Sequence, residues 1–189
     1  MNAPSRRQLL LTGLASCVAT TTLSGCASGP RIDDYAQEQP VLDLRQYFNG
    51  VVDAWGVFTD RDGKVVKRFT VVMHCSWTRT PEGDEGVLDE DFVYADGSVQ
   101  KRIWRLRHTG DGRYIGLADD VVGQALGQTR GNTFRFGYTL ALPVDGRVWH
   151  VSMDDWMFLM NDQIMLNKAR MSKWGIHLGD VTLSFKRRG

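Results

Sequence analysis

Residues 64–77 read KVVKRFTVVMHCSW. Every second side chain from Phe69 to Trp77 is apolar: Phe69, Val71, Met73, Cys75 and Trp77. Between them lie Arg68, Thr70, Val72, His74 and Ser76. A repeat of two residues is the signature of a strand with one buried face. The same alternation returns in NTFRFGYTLAL (132–142), where Phe134, Phe136, Tyr138, Leu140 and Leu142 share a face. It returns again in VQKRIWRLRHT (99–109), where Arg102, Trp104, Leu106 and His108 alternate with Ile103, Arg105 and Arg107.

Between these runs stand Asp62-Gly63, Asp96-Gly97, Asp111-Gly112, Gly131-Asn132 and Asp145-Gly146. Such pairs tolerate the positive φ that tight hairpin turns demand. About eight to ten strands in meander order follow, with no crossover helices. That pattern excludes a parallel α/β sheet and predicts an all-β fold, an antiparallel up-and-down barrel. LDLRQYF (42–48) reads as a short helix or turn near its start.

The N-terminus has a different character. Arg6 and Arg7 precede an uncharged apolar or small-residue run from Leu9 to Leu23. The run is too short and too rich in Thr, Ser and Gly for a membrane-spanning helix. SRRQLLL (5–11) resembles the twin-arginine export pattern, although a general secretory signal reads the same way. LSGC (23–26) resembles the lipobox of bacterial lipoproteins. Residues 1–25 are then a signal peptide and Cys26 becomes the acylated first residue, the chain's link to a membrane. Ala27, rather than Asp, follows Cys26. That resembles lipoproteins sent to the outer membrane and implies a place on its periplasmic face. Residues 26–40 read as a flexible lipid-anchored tether, reaching at most roughly 45–50 Å. Residues 41–189 form the barrel domain.

Removing 25 of 189 residues leaves 164, enough for one domain with one core. Without Arg6 and Arg7 the 23 basic residues become 21, against 22 acidic ones. A near-neutral chain lacks the concentrated basic patch of a nucleic-acid binder. With Cys26 acylated, Cys75 has no intrachain disulfide partner and reads as a small core residue.

Several motifs in order carry a family resemblance: YFNG (47–50), AWG (54–56), LDEDFVYADG (88–97), ADDVVGQALG (118–127), DDWMFL (154–159) and NKARMSKWG (167–175). The chain resembles the bacterial lipoprotein family catalogued as domain of unknown function 3833. The resemblance implies a lipocalin-like barrel. It implies no reaction, cofactor or catalytic residue.

Phosphate-binding glycine loops and G-x-S-x-G elbows are absent from the sequence. His74, His108, His150 and His177 stand in no metal-ligand spacing. Three acidic clusters remain: Asp89-Glu90-Asp91, Asp119-Asp120 and Asp154-Asp155. Asp155 is singled out because it shares an apolar face with Trp149, Val151, Met153, Met157 and Leu159. A carboxylate there must be paired, protonated or functional. Candidate partners are Arg102, Lys168, Arg170 and Lys173. Trp55, Trp104 and Trp149, on separate strands, are candidate lining for a ligand cavity. The expected site is therefore Asp155, Arg102, Trp104, Trp149 and Trp55, binding a lipid or another apolar or amphipathic molecule. An envelope interaction module with a fully packed core is the alternative, and an enzyme using Asp155 or Asp91 is a third reading.

Overall fold

The computed structural model describes residues 29–189; the expected signal peptide over residues 1–25 and Cys26 lie outside them. Ten antiparallel strands follow in chain order: β1 (Gly50–Asp60), β2 (Val65–Thr80), β3 (Gly83–Tyr94), β4 (Val99–Gly110), β5 (Arg113–Leu117), β6 (Ala125–Arg130), β7 (Thr133–Val144), β8 (Arg147–Leu159), β9 (Ile164–Lys173) and β10 (Ile176–Arg187). Each pairs with its chain neighbours, and β1 pairs with β10, so the sheet closes into a barrel. The expected all-β, up-and-down, lipocalin-like barrel is what forms.

Alternation sorts the side chains as the sequence predicts. Val71, Met73 and Cys75 are buried, and Phe69 and Trp77 pack on the same core. Burial pushes the Cys75 thiol up to about 12, so it stays protonated and inert. Turn chemistry holds as well. Asp111-Gly112 and Asp145-Gly146 have φ of 49° and 67°, and 50° and 74°, the positive pair of a primed hairpin turn. Trp174-Gly175 makes the same turn with φ of 52° and 78°.

The inner wall carries glycines where aromatic rings lie across from them. Trp77 pairs in register with Gly86, and Phe69 with Gly56. A Cβ at Gly86 would come within 2.7 Å of the Trp77 indole. Large rings thus lie flat across the interior at those points.

The two barrel ends differ. One is closed by α1 (Leu44–Tyr47), the short helix expected near the start. Asp43 caps it, accepting from the Arg45 backbone N–H at 2.9 Å. Leu42, Leu44, Tyr47 and Phe48 plug the end. The Trp77 indole N–H donates to the Phe48 carbonyl at 2.8 Å, and the Tyr47 hydroxyl to the Gln163 carbonyl at 3.0 Å. The opposite end is the mouth, ringed by the β1–β2, β3–β4, β7–β8 and β9–β10 hairpins. A second apolar cluster, Leu140, Val151, Met153, Ala169 and Met171, lies on that side.

The tether expected over 26–40 is partly docked. A 3-10 turn at Ile32–Tyr35 lies against the outer wall at the closed end. Tyr35 packs on Trp156 and Phe158 at ring separations of 5.7 and 5.5 Å. The backbone of Tyr35 and Glu38 crosses Gly131, where any Cβ would collide. Composition reads this stretch as free chain because its partners are distant in sequence.

Candidate functional site

Between the two apolar clusters the interior holds a polar layer built from five strands and one loop. The alternation that points Leu88 and Phe92 inward also points Glu90 inward. In register it faces Arg102 of β4. The Arg102 guanidinium reaches Asp120, in the loop between β5 and β6, with Nε at 2.9 Å and Nη2 at 2.6 Å from one carboxylate oxygen. It also lies over the Phe92 ring at 5.7 Å. That loop is held by the Ala141 N–H donating to the Asp120 carbonyl at 2.7 Å. Asp155 of β8 is buried, and the Asn167 side-chain amide of β9 donates to it. Tyr138 and Trp104 complete the layer, their rings 5.2 Å apart.

Three carboxyl groups, Glu90, Asp120 and Asp155, share this interior with one guanidinium. Burial pushes Glu90 up to about 7; Arg102 opposes the shift, and Asp120, Asp155 and Asp89 add to it. Burial also pushes Asp155 up to about 7, against the Asn167 hydrogen bond and with the charge of Asp154. The Tyr138 hydroxyl is raised by burial first and then by Asp155. Burial disfavours charged Arg102, but Glu90, Tyr138 and Asp120 outweigh it and its pKa rises. Near neutral pH the layer therefore holds one fixed positive charge and two carboxyls poised to take or release a proton.

Its hydrogen bonding is incomplete. One carboxylate oxygen of Asp120 and the Asn167 side-chain oxygen are buried without a partner. Among the described residues no side-chain hydrogen bond reaches Glu90. Nor do three His, Cys, Asp or Glu side chains gather there as metal ligands would.

The family model described as "Protein of unknown function (DUF3833)" matches residues 20–187. The chain belongs to this family. Among solved structures, the barrel of this DUF3833 chain is similar to an S-type phycobiliprotein lyase, CPES, from Guillardia theta. That match has a TM-score of 0.57 and 7% identity, covering 85% of this chain and 99% of the other. Rv2717c from M. tuberculosis matches with a TM-score of 0.53 and 11% identity over 80% of this chain and 99% of the other. A DUF3598-family protein from Nostoc punctiforme PCC 73102 gives 0.53 and 12% identity over 80% of this chain and 51% of the other. At these identities the likeness is one of fold, a lipocalin-like closed β-barrel. None of the curated proteins compared matches the sequence.

Of the residues expected to form a site, the structure brings together Asp155, Arg102 and Trp104. Trp55 is a correction: it follows inward-facing Ala54, so it points outward and is 49% exposed. It stands beside a groove of about 670 Å³ on the outer wall, with Arg68, Val93 and Leu166. Trp149 is another. Its parity is inward, but it sits beyond the last layer of the barrel, at the mouth, under the Lys173 ammonium at 4.3 Å. Asp91 also faces outward, where Lys101 meets it at 3.1 Å. The partner of Asp155 is Asn167 rather than a cation. Lys168 and Arg170 alternate to the outside, and Lys173 lies at the mouth. Sequence reasoning flagged the clusters that hold Glu90 and Asp120 without assigning either residue to the site, and it missed Asn167. Glu90 was legible, since it lies between Leu88 and Phe92 at spacing two, but acidic neighbours on both sides disguised it. Asp120 and Asn167 carry no such signal.

Proposed function

We propose that this protein is a lipid-anchored envelope lipoprotein whose barrel binds or carries one small amphipathic molecule. The observation that carries the reading is the unmatched polar layer. Buried acceptors at Asp120 and Asn167, and a carboxyl at Glu90 without a donor, leave hydrogen-bonding capacity inside a mostly apolar interior. Sites for small molecules combine apolar walls with a few convergent polar groups in this way. Three carboxyls against one guanidinium favour a head group rich in donors, a hydroxyl or amine, over an anion. Trp104 and Tyr138 supply apolar wall beside it.

The lipobox at Cys26 supports anchoring, and Ala27 supports the periplasmic face of the outer membrane. A second reading is an envelope interaction module with a filled core. It is favoured by the packing of Trp104 on Phe136 and Tyr138 at 5.0 and 5.2 Å.

Native mass spectrometry of the protein purified from its own membranes tests the choice, with extraction of whatever it holds. A stoichiometric small molecule that is lost in Glu90→Leu, with folding retained, supports the carrier. An empty barrel in wild type favours the interaction module. Radiolabelled palmitate incorporation that persists in Cys26→Ser would overturn the anchor.

A further inference from the structure

Every unsatisfied group in the polar layer is an acceptor. One oxygen of Asp120 and the side-chain oxygen of Asn167 are buried without a donor, and no side-chain hydrogen bond reaches Glu90. Asn167 is 2% exposed, out of reach of bulk water. Glu90 stands on β3 and Asp155 on β8. Round the barrel these strands are five apart in either direction, so the two carboxyls face each other across its axis. They are close enough for the Asp155 charge to act on Glu90. The other titratable groups that reach the pair are Arg102 of β4, Asp120 of the β5–β6 loop and Tyr138 of β7. β2 adds the protonated Cys75 thiol. Asp89 and Asp154 act from the outer face, where Lys101 and Arg135 pair with them at 2.7 Å each. At the mouth, Asp60 accepts from the backbone of its own turn, and Lys67 and Lys173 lie over the Tyr94 and Trp149 rings. Three acids in the layer therefore share one guanidinium, and two of its N–H groups already go to Asp120. The layer is reachable. Phe69, Phe92 and Leu183 turn inward on β2, β3 and β10 but are only partly buried, and the Arg102 side chain keeps 19% of its exposure.

We infer that the interior takes an amphiphilic primary amine in exchange for a proton, with the ammonium between Glu90 and Asp155 and the tail along Phe69, Phe92 and Leu183. The inference rests on the carrier reading above and adds the class of head group. An ammonium brings three donors, no acceptor and one positive charge. It therefore suits orphan acceptors in an acidic layer. A hydroxyl brings one donor and further lone pairs; a carboxylate brings acceptors alone. A buried ammonium needs an ionised partner beside it. Burial holds Glu90 and Asp155 up to about 7, so near neutrality these carboxyls have a proton to give up. One ammonium enters, one carboxyl proton leaves to water, and the charge of the interior is unchanged.

Isothermal titration calorimetry of the full-length chain with Cys26→Ser, using decylamine, decanol and decanoate, tests it. The three share a tail and differ in the head. Decylamine is expected to bind one to one, and about tenfold or more tighter than the other two. It stays charged throughout, while rising pH ionises the carboxyls. Its affinity should thus rise about tenfold from pH 6 to pH 8, the factor for one carboxyl with a pKa of about 7. Below pH 7 its binding should release a proton, read from the dependence of the heat on the buffer; decanol should release none. Glu90→Gln should weaken decylamine about tenfold and leave decanol unchanged. The N-terminal apolar run is common to both chains, so their difference reads the interior. The head-group order and the proton release need no interior substitution, so they decide the matter even if Glu90→Gln fails to fold. Decanol or decanoate binding as tightly as decylamine would overturn the amine and keep the carrier. Decylamine affinity that is flat with pH, or equal in Glu90→Gln, would overturn it as well. Binding of none of the three would overturn the amine and the carrier together.

Discussion

Glu90 and Asp155 hold their protons more tightly in the folded chain than in the unfolded one. Glu90 moves from 4.5 to about 7, and Asp155 from 3.8 to about 7, both chiefly through burial. Between those values the folded chain keeps protons that the unfolded chain has released. This contribution is fully present below about pH 4, shrinks as pH rises to about 7, and is level above. Each carboxyl is worth roughly 3–4 kcal/mol across that window. Thermal midpoints measured from pH 4.5 to 8 should therefore fall, and Glu90→Gln should flatten part of the slope. A midpoint that climbs steadily through this range would show that the two carboxyls are not the buried, proton-holding pair described. Exposed, paired acids such as Asp53, lowered by Arg188, act at lower pH with the opposite sign. At this scale the sequence was half legible. Asp155 stood out against apolar neighbours two residues away on either side. Glu90 obeyed the same rule but was hidden by Asp89 and Asp91, whose side chains face the other way.

Among the elements, α1 is the smallest and does the most to position the interior. Four helical residues could not persist alone. They are held by the Asp43 cap, by Leu44 at full burial, and by Trp77 reaching the Phe48 carbonyl. Leu44→Ala should cost about 2–5 kcal/mol, read as a shift in the urea midpoint with an unchanged slope. A loss below about 1 kcal/mol would mean that the plug is dispensable. The strands were legible because spacing two and Asp-Gly turns are local signals. The β9–β10 turn was not, because Trp174 occupies a position where turn chemistry predicts Asn or Asp. The docked stretch 31–40 was hidden for another reason: Gly131, the surface it crosses, lies about ninety residues downstream.

The whole molecule depends on one long closure. β1 and β10 pair along nine registered positions, from Val52–Arg187 to Asp60–Gly179. Contacts between chain termini form late and slow the search for the native state. Refolding should occupy milliseconds to seconds, with β1 and β10 amides protected last in pulsed hydrogen exchange. Early protection of β1 against β10 would contradict this order. By itself the sequence determined the all-β class, the meander order, the inward faces and the family, because alternation and turn preference are properties of neighbouring residues. It also singled out Cys26 as the residue that the proposed lipid anchor would use. Only the tertiary structure decided that ten strands close, that Trp55 faces outward, that Trp149 stands at the mouth, and that buried Glu90, Asp155 and Asn167 share one layer with partly buried Arg102 and Asp120. Those facts depend on barrel register and on how far each strand extends. Both are set by pairings across the sheet and have no counterpart in any short stretch of chain.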